Sequence, residues 1–145
     1  MGPRHSGGMT SPAFDLSDTY VSVHTTGEAR AVPVDDGFWP EVMAGKRPEL
    51  ASGWLLAGFE YAGDWGTWER HPAGDEIVTL LSGAVDIVLD EGGAERTVSL
   101  TAGQTCIVPQ GTWHRAVVHE PARAVHLTPG EGTVHRPYEP SASSF

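Results

Sequence analysis

The chain has almost no cysteine. Cys106 stands alone, which excludes an internal disulfide and any thiolate metal cage; such usage suits a reducing compartment, so a cytoplasmic location is expected. Long apolar runs are missing too. None approaches the ~18–20 consecutive residues that a membrane-spanning helix needs. No basic and apolar leader opens the chain, so neither a membrane partner nor secretion is expected. Basic residues are scarce: nine Lys and Arg stand against nineteen Asp and Glu in 145 residues, a formal net charge of −10. A surface that acidic repels phosphate backbones, and no basic cluster reverses it locally, so nucleic acid is not an expected partner.

Glycine and proline are plentiful instead. Eighteen Gly and eleven Pro cut the chain into short segments, as an all-β barrel or sandwich requires. Hydrophobic residues make up 39%, enough for one core, and the length fits one domain. Residues 1–19 lack periodicity and read as a disordered lead, within which Met9-Thr10-Ser11 reads as a native start. Residues 20–136 are the expected single domain, and 137–145 a loose tail. Asp35-Asp36 ahead of Gly37-Phe38-Trp39-Pro40 predicts one short helix with acids at its positive end. Apolar, β-type segments follow at Trp54–Tyr61, Ile77–Leu81, Val85–Leu89, Thr97–Leu100, Thr105–Val108, Arg115–Val118 and Ala124–Leu127. Ser82-Gly83 is expected to turn the chain between two of them, and Asp90-Glu91-Gly92-Gly93 to close a hairpin. Val85, Ile87 and Leu89 alternate with Asp86 and Val88, the period of a strand. The expectation is a single antiparallel β-barrel with irregular ends.

The chemistry lies in where His and Glu fall on this pattern. Glu69 and His71 are two apart, so on a strand they share a face. Pro72-Ala73-Gly74-Asp75 bends the chain, and Glu76 opens the next strand. A second block runs from Gly103 through Pro109 and Gly111 to His114, a strand and turn that deliver one histidine.

These blocks resemble the two cupin motifs, G-x5-H-x-H-x3–4-E-x6-G and G-x5-P-x-G-x2-H-x3-N. Gly63, Glu69, His71, Glu76 and Gly83 match every spacing of the first; Gly103, Pro109, Gly111, His114 and Val118 match the second. Two identities depart: Glu69 replaces the first histidine and Val118 the closing asparagine. The 19 residues between, Ala84 to Ala102, suit a small single-domain cupin. The resemblance implies a jelly-roll β-barrel (a double-stranded β-helix) and, as analogy, a homodimer. It also implies one divalent metal ion held by His71, Glu76 and His114, with Glu69 in the fourth place. Fe, Mn, Ni, Co and Zn all fit. Two imidazoles and two carboxylates neutralise such an ion and make it a weaker Lewis acid than three imidazoles would. Alternatively His71, Glu76 and His114 form a two-His, one-carboxylate set, and Glu69 beside it is a general base. An empty site with both acids ionised is disfavoured, because like charges repel and burial penalises each.

Functionally, the leading expectation is a metal-dependent enzyme acting on a small organic molecule by oxygenase or isomerase/cyclase chemistry. The alternatives are a non-catalytic binding or sensing cupin, and a metal-free isomerase in which Glu69 and His114 exchange protons. Trp65, Trp68 and Trp113 flank the motif residues and either wall a substrate pocket or pack in a core or interface. His126, on the last expected strand, either faces that pocket or is structural. Arg70 and Arg115 alternate outward beside the ligands, and Cys106 reads as a small core residue. His5, His24, His119 and His135 are expected to be solvated.

Overall fold

The computed structural model describes residues 12–130 and 132–140. Its strands, in chain order, are β1 (Thr19–Val23), β2 (Ala29–Pro33), β3 (Trp54–Tyr61), β4 (Thr67–Arg70), β5 (Glu76–Glu91), β6 (Ala94–Thr101), β7 (Thr105–Val108), β8 (Trp113–Pro129) and β9 (Val134–Pro137). One short helix, α1 (Phe38–Met43), and a 3-10 turn at Pro48–Leu50 lie between β2 and β3. The long strands β5 and β8 carry the architecture and pair antiparallel along most of their length. The first half of β5 also pairs with β7 and the second half with β6. On its other edge β8 pairs with β3 through its second half and meets β4 at His114. The hairpin β1–β2 extends the sheet beyond β3, and β9 extends it beyond β4. Every pairing is antiparallel, and the fold is an all-β jelly-roll barrel.

The segments expected at Ile77–Leu81 and Val85–Leu89 are one strand, not two, and Ser82-Gly83 is not a turn. Inward-facing residues of β5 are even-numbered at first (Glu76, Val78, Leu80) and odd-numbered later (Val85, Ile87, Leu89). A strand with a period of two can change parity only through an extra residue. The register against β8 shifts at Leu80, Ser82 and Ala84, which marks a β-bulge. Gly83 makes the bulge possible. Its φ is +86°, and a Cβ there would stand 2.7 Å from Cα and Cβ of Ala122, closer still to the Pro121 carbonyl oxygen. Arg115–Val118 and Ala124–Leu127 likewise belong to one strand. Pro121 sits where β8 passes the bulge, so its missing N–H breaks no regular ladder.

The expected helix is present. Asp35 receives the Gly37 N–H on its side chain at 3.0 Å and the Phe38 N–H on its carbonyl at 3.0 Å. Phe38 is fully buried and, with Tyr20, Val32, Leu50 and Ala57, forms a second apolar cluster beside the barrel core. Within the segment expected as a lead, residues 1–11 lie outside the described residues, and the Leu16 carbonyl accepts the Gly58 N–H at 3.0 Å. Of the expected tail, 141–145 lie outside the described residues, while Tyr138 donates its N–H to Gly66 at 2.9 Å. Among the described residues no helix is long and apolar enough to cross a membrane.

The bulge yields the first prediction. Gly83→Ala should cost about 2–4 kcal/mol, combining the left-handed backbone with the steric conflict. Gly92→Ala, also at positive φ but with nothing within 4 Å, should cost only about 1–2 kcal/mol. Urea unfolding of the two variants measures the difference.

Candidate functional site

The two motif blocks hold each other in place. The turn after β4 docks on the turn before β8: Asp75 Oδ1 accepts the Gln110 N–H at 2.8 Å, and Gln110 Nε2 donates to the Pro72 carbonyl at 2.7 Å. Gly111, at φ +76°, donates its N–H to the His71 carbonyl at 3.0 Å. This double clamp sets His71 at the end of β4 against His114 at the start of β8. Glu69 and His114 are partners in the β4–β8 register, and the even phase of early β5 turns Glu76 inward beside them.

The four side chains converge. Glu76 Oε1 lies 3.0 Å from His114 Nε2 and 3.3 Å from His71 Nε2, and Glu69 Oε1 lies 3.6 Å from His71 Nε2. Glu69, His71 and His114 each offer an atom within 4.8 Å of the others. Ligands about 2.1 Å from one ion stand roughly 3–4 Å apart, so this spacing fits a single metal.

Hydrogen bonding makes the stronger test. Each buried group is tied at its far atom. His114 Nδ1 donates to the Thr112 carbonyl at 3.1 Å, and His71 Nδ1 bonds Thr133 Oγ1 at 2.9 Å. Glu76 Oε2 accepts from Thr128 Oγ1 at 2.6 Å and from His126 Nδ1 at 3.2 Å. The near atoms, His71 Nε2, His114 Nε2 and Glu76 Oε1, are buried and have no hydrogen-bond partner. Buried polar atoms are rarely left so. With His114 Nδ1 donating to a carbonyl, the neutral form of the ring directs a lone pair at the carboxylate, and a cation between the two, a proton or a metal ion, is what relieves the repulsion; the donor set is one that suits a metal.

Charge is balanced accordingly. Burial alone would push the Glu76 carboxyl up, yet the imidazoles of His114, His126 and His71 hold it well below the usual range. Burial pulls His114 down, and the adjoining Glu76 carboxylate more than offsets it, so the imidazole pKa is raised. Glu69 is likewise pushed up by burial and held below its ordinary value chiefly by His135, whose Nε2 is 3.3 Å from Glu69 Oε2.

A cavity of about 910 Å³ opens onto these residues; Glu69, His71 and Glu76 are in its lining. Of the other residues singled out in the sequence, Trp65 and His126 line it, with their rings stacked at 6.2 Å, and His135, expected to be solvated, lines it as well and pairs with Glu69. Trp68 and Trp113 are elsewhere, with arginines stacked on them. Trp113 carries Arg70 and Arg136 at 5.0 and 4.5 Å, and Trp68 carries Arg136 and Arg115 at 5.3 and 5.6 Å. Arg115 is therefore buried against rings, Tyr138 among them, rather than solvated. His119 is exposed and pairs with Asp86 at 2.8 Å; His24 is exposed, and His5 lies outside the described residues. Cys106 is in the core, where burial raises its thiol pKa, consistent with an inert residue. At the position of the motif's closing asparagine, Val118 donates its N–H to Asp64 Oδ1 at 2.7 Å.

Besides Thr112 and Thr128, three more site residues escaped the sequence reading. Tyr61 donates its hydroxyl to His126 Nε2, completing a chain from Tyr61 through His126 to Glu76. Its inward direction was available from the alternation Ala57, Phe59, Tyr61 on the expected strand. His135 and Thr133 come from β9 and the residues before it, and nothing local announced that this segment pairs with β4.

The cupin-domain family model matches residues 59–128. This is a small cupin-domain protein. Parts of several solved structures are similar to it. Bacillus subtilis oxalate decarboxylase aligns with a TM-score of 0.50 at 17% identity, over 64% of this chain and 26% of that one, a likeness of fold. An oxalate oxidase aligns with a TM-score of 0.47 at 23% identity, over 56% of this chain and 45% of that one. A cupin-2 domain protein from Shewanella frigidimarina gives a TM-score of 0.46 at 20% identity, over 55% and 76%. The cupin-domain protein thus spans less than half of the oxalate oxidase and about a quarter of the decarboxylase. No curated protein matches the sequence.

The clamp between the turns predicts that Asp75→Ala, which removes one hydrogen bond, costs about 1 kcal/mol. It should also raise amide exchange at Gln110, read by hydrogen-exchange NMR, while exchange in β6 stays as in the parent.

Proposed function

We propose that this cupin is a metal-dependent enzyme acting on a small organic molecule, with a divalent transition metal held by His71, Glu76, His114 and Glu69. The observation that carries the reading is the set of three buried, unpartnered atoms, His71 Nε2, His114 Nε2 and Glu76 Oε1, that face one another. When bound, such an ion supplies Lewis-acid polarisation of a substrate oxygen, or dioxygen binding if it is iron. The protein's own residues supply the rest. His71, Glu76 and His114 form a buried tripod, fixed from behind by Thr133, Thr128, His126 and Thr112. Glu69 differs, with its side chain 26% exposed against 1% for Glu76. His135 holds its Oε2, so Oε1 is the atom that takes a fourth ligand position or receives a proton from substrate. The apolar walls around this floor would limit the access of water to the reacting groups once a substrate fills the cavity. A cytoplasmic homodimer belongs to the same proposal; Ile77 and Ile107, adjacent on β5 and β7 and both exposed, would be covered in it.

Elemental analysis of purified, reloaded protein tests the proposal. One equivalent of metal is expected in the parent, none in His114→Ala, and metal held at least tenfold more weakly in Glu69→Gln. A parent that takes up none of Fe, Mn, Co, Ni or Zn would overturn the metalloenzyme reading.

A further inference from the structure

The cavity has an uneven chemistry. Its walls are apolar and largely aromatic, with Trp39, Phe59, Trp65, Leu50 and Leu55 among the lining residues. Trp39 and Met43 project from α1 and keep 39% and 67% of their surface exposed, an apolar lip on an otherwise acidic protein. No Lys or Arg is among the described lining residues, whereas three carboxylates are: Glu60, Glu69 and Glu76. Strand alternation produces this exclusion. Where Glu69 and His71 face inward, Arg70 between them faces outward to Trp113, and Arg136, beside His135, stacks on Trp68 and Trp113. The guanidinium groups adjacent in sequence to the site residues, those of Arg70, Arg115 and Arg136, are thus stacked on rings rather than turned into the cavity.

The polar floor presents acceptors at two defined points. His126 must donate through Nδ1, because Glu76 is a carboxylate there, so its Nε2 accepts and Tyr61 is the donor. With that proton committed, Tyr61 offers the cavity only lone pairs, as does Glu69 at Oε1. A carboxylate or phosphate ligand would bring a further negative charge to a lining that holds three carboxylates and no Lys or Arg, where histidines are the only described side chains able to carry positive charge. A hydroxyl would find partners.

We infer that this cavity takes an apolar ring compound of two or more rings that carries no negative charge and presents a hydroxyl to the acceptors on its floor. The size follows from the volume, near the top of the ~300–1,000 Å³ range of small-molecule sites. The inference rests on the reading above for treating the cavity as a substrate site, and it goes further in naming the substrate class. The oxalate named for the fold neighbours has the charge and the small size that this cavity is not built to hold.

Isothermal titration with 2-naphthol and 2-naphthoate, on the full chain as purified and after chelation, separates the possibilities. The two probes share a ring system and differ in charge and donor. The naphthol should bind at least tenfold more tightly in both states. Trp39→Ala, at the lip, should weaken it at least threefold in protein whose urea unfolding shows it to be folded, and Glu69→Gln should narrow the preference over naphthoate. Equal or tighter binding of naphthoate in either state, or no binding of either probe below millimolar concentration, overturns the inference. Metal content is measured on the same samples. A naphthol preference without metal uptake leaves the ligand class standing and removes the metal reading; metal uptake with a naphthoate preference does the reverse.

Discussion

Two imidazoles and a carboxylate pressed together inside the barrel, each turned by a bond behind it so that its free atom faces the others, form an arrangement that costs free energy when left alone. Transferring such groups from water without compensation costs several kcal/mol each. The rest of the domain has to supply the rigidity that keeps them there. The cost also gives the site its meaning, since a cation placed among His71 Nε2, His114 Nε2 and Glu76 Oε1 would satisfy all three at once. The far-side partners are what make the convergence specific, because they fix which atom of each ring and carboxylate remains free.

Two features of the fold enforce this geometry. The docked turns place His71 and His114 relative to each other through three hydrogen bonds, each joining residues at least 35 positions apart in sequence. The bulge at Gly83 lets β5 contribute Glu76 from its even phase and core residues Val85, Ile87 and Leu89 from its odd phase. One strand therefore serves both the site and the core. The outer faces of β4, β8 and β9 have a different task. There Arg70, Arg115 and Arg136 interleave with Trp113, Trp68 and Tyr138, an arrangement that ties β9, and with it His135, to the barrel. The same arrangement takes positive charge out of the cavity.

Much of this was legible beforehand. The resemblance to the cupin motifs singled out Glu69, His71, Glu76 and His114, and these side chains lie together in the fold. The strands Trp54–Tyr61 and Thr105–Val108 were recovered at their observed ends. The reading failed where a local signal had two meanings. Ser82-Gly83 has turn chemistry, yet glycine at positive φ serves a bulge equally well, and only the partner strand decides between them. Trp68 and Trp113 flank motif residues in sequence, but alternation sends them to the opposite face from Glu69 and His114. The role of β9 depends on a pairing with β4 across more than sixty residues, which no window of local sequence contains.

The most direct test of the account is X-ray absorption at the metal edge of protein loaded with one equivalent of zinc. The account predicts a shell of nitrogen and oxygen neighbours, outer-shell scattering from two imidazole rings, and no sulfur. A spectrum without imidazole scattering, or with a sulfur shell, would contradict it, because the ion would then be bound somewhere other than among His71, His114 and the two glutamates.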